Sequence, residues 1–104
     1  MPKVKHVVLL RFKPVPEAQI AEVMADLAAL KDKIPGLLDF SGGRNTSLEG
    51  LSKGFTHGFV MTFQDEASRD AYLPHPEHEK VKEKVFGLLD GGLEGVHVMD
   101  WNEA

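Results

Sequence analysis

The order of strand-like and helix-like segments is the feature that most constrains the fold of this chain. Alternating apolar residues predict strands, and apolar residues at three- to four-residue spacing predict the helices between them. The predicted strands are residues 4–12, 37–44, 55–63 and 94–101. The predicted helices are residues 17–34, a short segment from Asp65 or Ser68 to about Leu73, and residues 77–89. This β-α-β-β-α-β order predicts an α+β, ferredoxin-like fold: a four-stranded antiparallel sheet with helices on one face.

The first and last predicted strands are apolar on both sides, although the helices can cover only one face of the sheet. In the first strand, alternation places His6, Val8 and Leu10 on one side and Val7 and Leu9 on the other. An uncovered apolar sheet face of this size is typical of an interaction surface. We therefore expect a homodimer in which two sheets pack face to face, since two-fold symmetry is the commonest closure.

Composition and charge narrow the functional classes. The 104 residues are enough for one domain, which we assign to residues 1–104. A net charge of −4 without a long basic run disfavours a nucleic-acid partner. The chain has no cysteine, which excludes a disulfide framework and thiolate catalysis. The apolar run at residues 7–10 is too short for a signal segment or a membrane span, so we expect a cytoplasmic protein with no membrane partner.

Four of the five histidines fall where this fold could bring them together. His6 and His57 lie on the predicted helix-facing sides of two strands, and His75 and His78 follow Tyr72 in a proline-bracketed turn. Imidazole is the side chain that titrates nearest neutral pH, so such a cluster is suited to acid/base chemistry. The apolar wall of a shared binding cavity would come from the same two strands, through Val8, Leu10, Phe59 and Met61.

Other uses of these residues are less well supported by their spacing. His75-x-x-His78 lacks the helical His-x-x-x-His pattern and an obvious third ligand, so no metal site is predicted. The glycine pairs at 42–43 and 91–92 lack nucleotide-binding spacing, and no cofactor is predicted. The histidines of the proline-bracketed turn could also simply cap and join the two helices that flank it.

Three motifs carry a resemblance to a known family. They are the opening strand VKHVVLLRFK, the segment GFTH followed by MTF, and the segment YLPHPEH. In this order and spacing they resemble the stress-responsive A/B barrel (Dabb) domain, whose members include plant stress proteins and olivetolic acid cyclase-type polyketide cyclases. The resemblance implies a dimeric α+β barrel. It also implies that His78 acts as a base assisted by Tyr72, and that His6 and His57 line the cavity.

The preferred hypothesis is a homodimer that binds a small apolar or aromatic molecule and has cofactor-independent, polyketide cyclase-like acid/base activity. One alternative is a non-catalytic, stress-associated structural or ligand-binding dimer. Another is a cofactor-free monooxygenase, by analogy with dimers of related architecture. An open cavity lined by both His78 and Tyr72 would favour the enzyme. A filled interior, with both side chains bonded to backbone, would favour the structural protein.

Overall fold

The computed structural model describes residues 2–103 and has the predicted ferredoxin-like architecture. The strands are β1 (Val4–Leu10), β2 (Leu37–Arg44), β3 (His57–Phe63) and β4 (Val96–Asn102). The helices are α1 (Glu17–Ala29), α2 (Glu66–Tyr72) and α3 (Pro76–Leu88). Short 3-10 turns follow α1 at Leu30–Asp32 and precede β4 at Gly92–Gly95. The predicted order of strands and helices is therefore confirmed.

The four strands form one antiparallel sheet in the order β2-β3-β1-β4. In this register Val8 of β1 lies between Phe59 of β3 and Val98 of β4, and His6 lies between Met61 and Asp100. Side chains that are opposite each other in the register share a face of the sheet. The register thus places part of the C-terminal strand next to His6, on the side that the helices cover.

The core lies between this side of the sheet and the helices. Val4, Leu10, Met61 and Phe63 of the two central strands are at most 1% exposed. The inward stripe of α1 is buried against them through Ile20, Val23 and Leu27. Full burial of one such side chain contributes about 1.5–3 kcal/mol, so each of these residues stabilises the fold appreciably.

The predicted ends of four segments are wrong by a few residues, and tight local turns explain most of the differences. Strand β1 ends at Leu10, since Phe12 makes only an isolated bridge to Leu89. The first helix becomes a 3-10 turn after Ala29. Strand β4 begins two residues after its predicted start, because Gly92–Gly95 form another such turn. The predicted strand from residue 55 begins only at His57.

The other side of the sheet carries no helix and remains apolar. On this open face Leu9, Met99 and Trp101 are 42%, 68% and 50% exposed. A shallow depression of about 630 Å³ lies there and extends to the loop between β2 and β3. Within residues 2–103, none of the helices is long and apolar enough to cross a bilayer.

Candidate functional site

The corner between α2 and α3 is fixed by local hydrogen bonds. Asp65 caps the start of α2, where its carboxylate accepts the backbone N–H of Ser68 at 2.8 Å. His75 caps the start of α3 by accepting the N–H of Glu77 at 3.1 Å, and Pro76 occupies the first helical position. Between the two helices, the backbone N–H of His75 donates to the carbonyl of Tyr72 at 3.0 Å. Tyr72 and His78 extend from the two sides of this turn.

His78 is held against both the turn and Tyr72. Its Nδ1–H donates to the carbonyl of Leu73 at 2.9 Å, and its ring stacks on Tyr72 with centroids 4.0 Å apart. Burial lowers the pKa of His78 and outweighs the hydrogen bond to Leu73, which favours the protonated ring. His78 is consequently neutral at pH 7, and its Nε2 lone pair is not used by the turn.

Tyr72 contacts the rings of His6, Phe63 and His78 and is only 1% exposed. Its ring packs against Phe63 at a centroid distance of 5.0 Å. Burial, and secondarily the charge of Asp100, raises the pKa of Tyr72 well above its usual value. The phenol therefore stays protonated, and its hydroxyl can donate a hydrogen bond to a ligand oxygen.

His6 completes a row of three aromatic rings from the side of the sheet. Its ring meets that of Tyr72 edge to face at 5.7 Å. Its Nδ1 lies 2.8 Å from Oδ1 of Asp100, the residue opposite it on β4. The other carboxylate oxygen, Oδ2, accepts from Nη1 of Arg69 at 2.8 Å. The order across the site is thus Arg69, Asp100, His6, Tyr72 and His78.

The rings of His6, Tyr72 and His78 border a cavity of about 330 Å³ between the sheet and the helices. Its size falls at the lower end of the range for small-molecule sites. Most of the wall is aliphatic or aromatic, and the lining side chains with polar groups are His6, Tyr72, His78 and Lys82. Lys82 is paired with Glu79 at 2.8 Å. Such a wall suits a small, largely apolar molecule with a few oxygen atoms.

The cavity brings together some of the predicted site residues and leaves others out. Six of them line it: His6, Val8, Leu10, Phe59, Tyr72 and His78. The other three, His57, Met61 and His75, are not in its wall. His57 packs edge to face on Phe12 at 5.2 Å, Met61 is fully buried, and His75 caps α3. The structure therefore does not bring the four predicted histidines into one cluster.

Asp100 and Arg69 were not predicted from the sequence. Asp100 lies an even number of positions from Val96 and Val98, so its side chain lies on the same face of β4 as theirs. This alternation was the sequence pattern that could have placed it on the helix side. Its contact with His6 depends on the β1–β4 register, and that of Arg69 depends on how α2 packs beside β4. Within residues 2–103, no group of three or more histidine or carboxylate side chains is arranged to hold a metal ion.

Comparison with known proteins gives a consistent result. The sequence model of the stress responsive A/B barrel domain (Dabb) matches residues 4–103. The chain is 35% identical over 88 residues to the stress-response A/B barrel domain-containing protein HS1 of Arabidopsis thaliana, covering 84% of this chain and 81% of that protein. It is 32% identical over 76 residues to the olivetolic acid cyclase of Cannabis sativa, covering 72% and 75% of the two chains.

Among solved structures, a dimeric ferredoxin-like protein of unknown function from Jannaschia sp. CCS1 superposes with a TM-score of 0.87 at 33% identity, covering 98% of this chain and 99% of that one. The expected resemblance is thus confirmed along nearly the whole described chain, in fold as well as in sequence. The chain belongs to the stress-responsive A/B barrel (Dabb) domain family.

Proposed function

We propose that this protein binds a small, mostly apolar carbonyl compound and catalyses cofactor-independent acid/base chemistry on it. The observation that carries the proposal is the pairing of a neutral imidazole with a protonated phenol in one cavity. His78 has a lowered pKa and an unengaged Nε2, and Tyr72, whose pKa is raised, lines the same cavity. A base and a hydrogen-bond donor side by side are the two groups that enolate formation requires.

The proposed reaction is an aldol or Claisen closure of a poly-β-ketone. Nε2 of His78 removes a proton from a methylene between two carbonyl groups, and the electron pair moves onto a carbonyl oxygen. The Tyr72 hydroxyl donates a hydrogen bond to this oxyanion. The enolate carbon then attacks a second carbonyl of the same molecule. In an aldol closure, the resulting alkoxide takes back the proton from His78; in a Claisen closure, the proton goes to the leaving thiolate or alkoxide.

Three further points support this assignment. The methylene protons of such a substrate are already acidic, so the chemistry needs no cofactor. The likeness to olivetolic acid cyclase extends over 72% of this chain. Nδ1 of His78 is bound to the backbone carbonyl of Leu73, a bond that a purely structural histidine could also make. This bond leaves Nε2 free for the reaction.

We further propose that the protein acts as a cytoplasmic homodimer whose subunits meet through the open sheet face. The exposure of Leu9, Met99 and Trp101 on that face supports this arrangement, because monomers rarely expose contiguous apolar surface. The dimeric neighbour at 33% identity supports the same stoichiometry.

The proposed base is tested with a linear triketo thioester, by following ring closure in the ultraviolet and deuterium incorporation at the methylene groups. We expect His78→Gln to lower the rate by about 10²–10⁴-fold, since that is the usual contribution of a general base. Tyr72→Phe should lower it as well, by removing the oxyanion donor. The matched control is His75→Asn, which changes a neighbouring histidine outside the cavity and keeps a residue that caps helices well.

The alternatives give different results in the same experiment. Wild-type turnover that persists unchanged in His78→Gln would contradict the proposed base. Saturable binding without turnover would favour the non-catalytic ligand-binding dimer. Oxygen consumption with a quinol substrate would favour the monooxygenase.

A further inference from the structure

Arg69 has no contact with the cavity, yet it lies at the end of a chain of hydrogen bonds that reaches the cavity wall. It is in the last turn of α2, and its side chain is 21% exposed. Its Nε donates to Asp70 and its Nη1 to Asp100, both at 2.8 Å. The hydrogen bonds to Asp70 and then to Asp100 raise the pKa of Arg69, so it is always charged. One end of this guanidinium is therefore bound to solvent-exposed Asp70, and the other holds Asp100.

The two oxygens of Asp100 serve two different donors. Oδ2 accepts from Arg69, and Oδ1 lies 2.8 Å from Nδ1 of His6. A carboxylate can only accept hydrogen bonds, so the proton of neutral His6 must sit on Nδ1. Binding by Arg69 fixes the plane of the carboxylate, and thereby the oxygen that His6 meets. In that neutral tautomer the nitrogen without a proton is Nε2, on a ring that lines the cavity.

We propose that Arg69 is a positioning residue which, through Asp100, fixes His6 as a second hydrogen-bond acceptor in the cavity wall. His78 has the same arrangement, because its Nδ1–H is bound by the Leu73 carbonyl. Both imidazoles thus have an Nε2 lone pair, and both rings contact the ring of Tyr72. The polar part of the wall therefore combines two acceptors with one hydroxyl group.

This pattern selects a class of ligand and extends the proposed function, on which this part of the inference depends. The complementary molecule has two hydroxyl donors, enolic or phenolic, attached to an apolar body. A ligand with a single hydroxyl would leave one imidazole nitrogen buried without a partner, which costs affinity. The cavity should therefore bind a dihydroxy compound more tightly than its monomethyl ether.

The arrangement of His6 is tested in the free protein by nitrogen-15 NMR of the imidazole rings, which requires no turnover. We expect a protonated Nδ1 and an unprotonated Nε2 in the wild type. Arg69→Met keeps the length of the side chain but frees the carboxylate of Asp100. The ratio of the Nδ1–H tautomer of His6 to the Nε2–H tautomer should therefore fall by about fivefold, the equivalent of one hydrogen bond. Asp100→Asn should go further and favour Nε2–H, because the amide NH₂ can donate to Nδ1.

The matched control is Asp70→Asn. It removes the charge of the other partner of the guanidinium and leaves the contact between Arg69 and Asp100 in place. It should keep the wild-type tautomer even if α2 is weakened. A variant that only loosens the fold would alter the rings of His6 and His78 alike. If Arg69→Met does not fold, Arg69→Lys retains the charge and should keep the tautomer, while Asp100→Asn still tests the reversal.

Two results would overturn the positioning role. One is a wild-type His6 protonated on Nε2, and the other is a nitrogen-15 spectrum of His6 that is unchanged in both Arg69→Met and Asp100→Asn.

The ligand class is tested separately by titrating resorcinol and 3-methoxyphenol. We expect about fivefold tighter binding of resorcinol in the wild type and a smaller ratio in Arg69→Met. Equal affinities in the wild type, or no binding of either compound, would reject the ligand class. Because the tautomer is read without substrate, the outcome for the positioning role is independent of whether the protein is a cyclase.

Discussion

At the scale of single residues, the roles of three histidines follow from the hydrogen-bond partner of Nδ1. The Nδ1–H of His78 donates a hydrogen bond to a backbone carbonyl, and Nδ1 of His6 lies against a carboxylate. His75 uses its Nδ1 as an acceptor and caps a helix. Three residues of the same type thus have three roles, set by their neighbours.

Burial also couples two histidines to the pH dependence of stability. It lowers the pKa of His57 and of His78 below the ordinary value of 6.5. Below about pH 6.5 the unfolded chain therefore binds more protons at these sites than the folded one. The free energy of unfolding should fall as the pH drops from about 6.5 through the folded pKa values, and these two residues should contribute no slope above neutral pH.

Urea unfolding at fixed protein concentration, between about pH 7.5 and pH 5, measures this slope. His57→Gln and His78→Gln should each reduce it. His97→Gln, which changes a histidine on the open face, provides the comparison. A slope that is the same in all three variants would show that burial of these rings does not govern acid sensitivity.

At the scale of elements, the junction before β2 depends on a glycine. Gly36 has φ of +85°, and a Cβ at this position would overlap the side chain of Ser68 in the first turn of α2. We expect Gly36→Ala to destabilise the protein by about 2–4 kcal/mol, from the left-handed backbone and from the overlap. The change is measured as a shift in the urea midpoint.

The two contributions can be separated with Ser68→Gly, which removes the overlapping atoms. In that background Gly36→Ala should cost only the backbone term, about 1–2 kcal/mol. Equal costs in the two backgrounds would indicate that α2 moves aside and that the packing of the two elements is loose.

The elements themselves were predictable because each is encoded locally. The alternation in residues 57–63 and the prolines around His75 gave the strand and the helix corner correctly. The ends of β1 and α1 were not predicted, since tertiary contacts and 3-10 tightening decide them. In the site, Tyr72 and His78 are near in sequence and were found together. Asp100 is 94 residues from His6, and only the strand register joins them.

At the scale of the whole molecule, the two sheet faces have different roles. The helix side contains the cavity and the core, and the open face exposes a surface that the proposed dimer would cover. Met99 lies opposite Val7 in the register and is 68% exposed, which places it within this surface. In the proposed dimer its burial contributes to association in the same way as burial of a core side chain.

Met99→Glu should therefore weaken the dimer by about 100-fold or more, because it removes an apolar contact and buries a charge on each subunit. Sedimentation equilibrium or light scattering over a concentration series measures this effect. Leu93→Glu is the matched control, since Leu93 is 77% exposed but lies at the cavity on the helix side. If Leu93→Glu dissociates the dimer and Met99→Glu does not, the subunits meet through the helices, and the open face needs another partner.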